Sequence, residues 1–175
     1  MKSLLVLSFS LMTIICFGQK NKPTGVVINP AVKQLRMPDL IVPNFVQTGA
    51  SFNGPNSTIQ VPVTVTVKNV GQAPAAIFKV GIDYQHPNGQ IYPVMFTVSG
   101  QSNAYYPFTN SPLAAGAVLT YQGVLVFPDR LRGNTLSAKA IADSCSGDEF
   151  MESYCRVNES SETNNSSTAI NIVLR

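Results

Sequence analysis

Oxygen donors crowd one stretch of this chain. Six of its nine acidic residues, Asp143, Asp148, Glu149, Glu152, Glu159 and Glu162, fall within twenty positions where Arg156 is the only base. Calcium takes six to eight oxygen ligands from carboxylates and carbonyls, so Asp143, Glu159, Glu162 and Asn164 form a candidate metal set. Their spacing matches no EF-hand loop, and the expected site is a loose one, with a dissociation constant of about 0.1 to 1 mM as in other extracellular modules. The blander reading of the same residues is a solvated loop whose charge keeps a sheet edge soluble.

Two other residue groups carry chemistry. Cys145 and Cys155 flank part of the acidic stretch, and the only other cysteine, Cys16, lies in an apolar N-terminal run. Removal of that run leaves an even pair, for which a disulfide is the simplest outcome in an oxidising compartment. Two metal-bound thiolates are the alternative, but no histidine or further cysteine is nearby to complete a tetrahedral site. Tyr105, Tyr106 and Phe108 sit in a polar loop over 100–110. Exposed, their rings could stack on sugars; folded back, they would cover one end of the core.

Catalytic sets are missing. The single histidine, His86, stands in the turn sequence His86-Pro87-Asn88-Gly89. No Ser-His-Asp combination, His-Glu-x-x-His run or glycine-rich phosphate loop can be assembled around it. A carboxylate-pair glycosidase needs two acids facing each other across a cleft, which a small sandwich hardly offers. The expectation is a protein that is not an enzyme and requires no cofactor, loose calcium apart.

The elements that must position these residues are strands. Ile59, Val61, Val63, Val65 and Val67 alternate with Gln60, Pro62, Thr64, Thr66 and Lys68, which puts one face in a core and the other in water. A turn at Asn69-Val70-Gly71 follows, where Gly71 could supply a positive φ. Ala76, Phe78, Val80, Ile82 and Tyr84 then share a second buried face, and Asn88-Gly89 is a strong hairpin signal. Strands are expected at Ile91 to Val98, Val118 to Phe127, Leu136 to Ala142 and Thr168 to Leu174. An earlier one at Leu40 to Val46 is placed at a sheet edge by Pro43. About seven short strands without helical periodicity describe an all-β, immunoglobulin-like β-sandwich; a barrel of similar strand count is the alternative.

The N-terminus reads as an export signal. Lys2 precedes an apolar run from Leu4 to Phe17, shorter than the roughly 20 residues that span a bilayer, and polar residues follow at once. Cleavage after Gly18 is expected, with lipidation at Cys16 as the competing outcome. The resulting division is a signal peptide over 1–18, a linker over 19–37 and one domain over 38–175. No membrane span is expected in the mature chain. Without Lys2, eleven bases face nine acids, a balance too weak to suggest nucleic acid as a partner.

The motifs also have an order. Pro38-Asp39-Leu40-Ile41-Val42, Val63-Thr-Val-Thr-Val-Lys-Asn-Val-Gly71, Phe78-Lys-Val-Gly-Ile82, Leu113-Ala-Ala-Gly116, Ala142-Asp143 and Val157-Asn-Glu-Ser-Ser-Glu-Thr-Asn-Asn165 follow one another along most of the mature chain. In this order they resemble the CARDB family, the cell-adhesion-related domain found in bacteria. The segment between Asp143 and Val157, with both cysteines, departs from a plain member. The resemblance implies an immunoglobulin-like sandwich in a secreted or cell-envelope protein that binds or adheres. Its partner would be a surface protein or a polysaccharide. The alternative is a carbohydrate-binding accessory protein that uses the aromatic loop over 100–110.

Overall fold

The computed structural model describes residues 35–99, 107, 109, 111–145 and 155–175. The expected signal peptide, nearly all of the expected linker, and Tyr105, Tyr106 and Phe108 lie outside the described residues. The segment from Leu35 to Arg175 is one compact unit.

Among the described residues, nine strands form two antiparallel sheets. They are β1 (Leu40–Gln47), β2 (Phe52–Gly54), β3 (Thr58–Asn69), β4 (Val80–Gln85), β5 (Ile91–Pro93), β6 (Met95–Val98), β7 (Val118–Pro128), β8 (Thr135–Ala142) and β9 (Ile170–Val173), with a short 3-10 turn at Asp129–Leu131. The first sheet runs β1-β3-β7-β6, with β2 paired to the start of β3; the second runs β5-β4-β8-β9. The fold is therefore the expected all-β sandwich, with nine strands among the described residues where the sequence suggests about seven.

The alternating segment behaves as its period requires. Ile59, Val61, Val63, Val65 and Val67 are buried, and they pair across β7 with a second row that includes Leu125 and Phe127. Each such aliphatic side chain contributes about 1.5–3 kcal/mol by leaving water. Val80, Ile82 and Tyr84 on β4 meet this layer from the other sheet, as do Leu136, Ala138, Ala140 and Ile172. Tyr84 packs edge-on against Phe127 with centroids 5.2 Å apart. Ala76, assigned to the buried face by its position, is exposed instead, because the strand begins only at Val80.

Proline and glycine positions have local causes. Pro43 falls in the register shift of β1, an edge strand, where no ladder hydrogen bond is lost. Pro62 is in the middle of β3, yet its carbonyl faces the chain just beyond β1, accepting the Thr48 N–H at 2.9 Å. On a strand the N and C=O of one residue point the same way, so its missing N–H falls between the β2 and β1 pairings. Gly71 is needed for space, not for a positive φ. A Cβ there would stand 2.5 Å from backbone atoms of Met37, Pro38 and Asp39. Gly89, in the Asn-Gly turn, does take a positive φ of 86°.

Candidate functional site

The acidic residues converge where the first strand begins and the last loop ends. Glu159 is buried, and its two carboxylate oxygens take different donors: Oε2 accepts the N–H of Leu40 at the start of β1, and Oε1 accepts Asn165 Nδ2 at 2.9 Å. Glu162 is exposed and accepts the Glu159 N–H at 2.8 Å. Asp143, just past β8 with φ of 50°, accepts the N–H groups of Arg156 at 3.0 Å and Val157 at 2.8 Å through Oδ2. Asn164 donates to Asp39 Oδ1 at 2.8 Å, and Ser160 Oγ donates to Oδ2 of the same aspartate at 3.1 Å. The loop over 155–165 belongs to no strand; backbone bonds from Ser160 to Pro38 and from Ala142 to Asn165 hold it in part, and these side chains take further N–H groups.

Electrostatics follow from that burial. Loss of water pushes Glu159 up to about 8, opposed by the Leu40 amide and reinforced by Glu162, Asp143 and Asp39. Asp143 is raised as well, chiefly by burial, with the Arg156 and Val157 amides pulling the other way. The arrangement is a clasp between β1 and the 155–165 loop. Among the described residues, no group of three or more His, Cys, Asp or Glu side chains is placed to hold a metal ion. Three of the four candidate ligands, Asp143, Glu159 and Glu162, already accept N–H groups of the chain. The amide nitrogen of the fourth, Asn164, is turned to Asp39. A calcium ion would have to share those carboxylates with the chain's own N–H donors.

Cys145 and Cys155 are joined, with Cα atoms 5.1 Å apart. Beside them a hollow of about 260 Å³ is bounded by Asp143, Glu162, Thr163 and Asn165. Asn165 Oδ1 is buried and has no hydrogen-bond partner among the described residues.

The sequence missed Asp39 and Asn165 as members of the clasp. Asp39 stands beside Leu40 in the motif that opens the domain, but its contact with Asn164 spans 125 positions. His86 accepts the Asn88 N–H on Nδ1 at 3.2 Å and packs against Tyr92, with centroids 5.7 Å apart. Its role there is to shape the hairpin.

No known family profile matches the chain, and no curated protein matches it. Among solved structures, it is similar to the CARDB domain of a Pyrococcus furiosus protein, determined in complex with di-metal ions. The identity is 19% and the TM-score 0.43, over 79% of this chain and 90% of that one. It is also similar to an uncharacterised β-sandwich protein from Clostridium difficile 630, at 10% identity and a TM-score of 0.30, over 60% of this chain and 73% of that one. The first of these is a domain of the family that the sequence motifs resemble.

Proposed function

We propose that the chain is an exported, non-catalytic binding module that holds a surface protein or a polysaccharide at or beyond the cell envelope. The observation that carries this reading is how the carboxylates of the acidic stretch are used. Asp143, Glu159 and Glu162 accept hydrogen bonds from the chain's own backbone, so they serve the fold in place of a reaction. Export is supported by the apolar N-terminal run and by the joined cysteines, since disulfides persist mainly in oxidising compartments. Among the described residues no helix is long and apolar enough to cross a membrane.

Affinity capture with the full secreted chain, from the envelope of the producing cell, tests the reading. Specific retention of one surface protein supports adhesion. Retention by polysaccharide that is lost in Tyr105→Ala and Tyr106→Ala supports the carbohydrate form, with the 100–110 loop as its contact. Failure to retain either class above a boiled control overturns the reading.

A further inference from the structure

The outer face of the second sheet carries a feature that the fold does not explain. Asp83 on β4 lies opposite Lys139 on β8 in the strand register, where opposite charges normally pair. No salt bridge joins them, and Asp83 Oδ1 is buried without a hydrogen-bond partner. A hollow of about 240 Å³ opens there, lined by Asp83, Tyr84, Gln85, Ile91, Ser137 and Lys139. An unsatisfied buried carboxylate oxygen is destabilising, so the fold alone gives no reason to keep an aspartate at this position. Desolvation raises its pKa accordingly.

We propose that this hollow is a monosaccharide-binding subsite on the outer face of β4, β5 and β8. The charge pattern selects the ligand class. Lys139 would repel a cation and Asp83 an anion, while a neutral polyol satisfies both, donating hydroxyls to the carboxylate and accepting from the ammonium. Gln85 and Ser137 can each donate and accept, as vicinal hydroxyl groups require. Ile91, 70% exposed, offers an apolar surface for the C–H face of a ring. The volume lies below the roughly 300–1,000 Å³ of drug-sized sites and suits one sugar unit. Rotation about the last torsion of an aspartate is soft, so the orphan oxygen can turn to meet a ligand hydroxyl.

The subsite rests on the binding-module reading and names one ligand class for it, at a different place from the 100–110 loop. It is tested by NMR on the full secreted chain, isotope-labelled, titrated with the methyl glycosides of glucose, galactose, mannose and N-acetylglucosamine. At least one sugar should shift the signals of residues 83–85 and 137–139, with a dissociation constant of about 1–10 mM. Asp83→Asn and Lys139→Met should each weaken that binding tenfold or more. Asp83→Asn should also melt at or above the wild-type temperature, because the substitution removes a buried orphan charge and leaves the fold intact. No shift at these residues with any of the four sugars, or equal binding by Asp83→Asn, overturns the subsite. Either result leaves the binding-module reading to stand or fall on envelope capture, which does not depend on this hollow.

Discussion

At the scale of single residues, the molecule spends its polar side chains on closing loops. Asn69 shows this most fully: it is completely buried, its Nδ2 donates to the Ala73 and Leu113 carbonyls at 2.8 and 2.9 Å, and its Oδ1 accepts from Asp39 and Gly71. Asn69→Ala should therefore cost about 3 kcal/mol or more, since four backbone groups lose a partner. An unfolding free energy within about 0.5 kcal/mol of wild type would contradict this. Glu159 gives a prediction in pH. Its folded pKa, about 8, lies above the ordinary carboxylate value of 4.5, so the folded state holds a proton that the unfolded chain releases first. The contribution is complete below about pH 4.5, declines as pH rises, and is lost above about pH 8, with the raised Asp143 acting in the same direction. The melting temperature should fall between pH 5 and pH 8, and Glu159→Gln should flatten most of that slope. A melting temperature that rises over this interval would refute the assignment.

At the scale of elements, the alternating strand fixes both faces of the first sheet. Val65 is fully buried opposite Tyr121, while Thr66 faces outward beside Thr120. Val65→Asp should leave the chain unfolded or aggregated, because an unpaired charge in the core costs several kcal/mol. Thr66→Asp should stay within about 1 kcal/mol of wild type. Equal thermal stability of the two would mean that the facing is wrong. Much of this level was legible in the sequence: the period of β3, the edge position of Pro43 and the Asn-Gly hairpin all depend on local chemistry. The break within Ile91 to Val98 was not. Val94 donates its N–H to the Ile82 carbonyl at 2.9 Å; the residues before it pair with β4, and those after it cross to β7 in the other sheet. A change of partner between two apolar segments leaves no mark on hydrophobic periodicity. The inward turn of Glu159 and Asp143 was equally hidden, since a run of acids reads as solvated until its backbone donors, up to 119 positions away, are known.

At the scale of the whole molecule, side chains fasten both ends of the edge strand β1 to the chain that surrounds β9. Gln47, at the end of β1, accepts the Val173 N–H of β9 at 3.1 Å, protecting one edge of the second sheet. The Glu159 clasp holds the start of β1 against the 155–165 loop, and the Cys145–Cys155 bond closes a ten-residue separation next to it. A closed loop of this size removes unfolded-state entropy corresponding to about 2.5–3 kcal/mol in the chain-entropy model. Reduction of the secreted protein, or replacement of both cysteines by serine, should therefore lower the melting temperature by about 5–10 °C while leaving strand content unchanged. The clasp does not need the disulfide for its hydrogen bonds, but its donors at Arg156 and Val157 adjoin Cys155. Opening the bond should therefore speed amide exchange there before it affects β3 or β7. Intact mass on the secreted chain should show loss of residues 1–18 and no free thiol, and two thiols alkylated without prior reduction would remove the disulfide from this account. Amide exchange that rises uniformly across both sheets on reduction would show instead that the loop and the sandwich unfold as one unit.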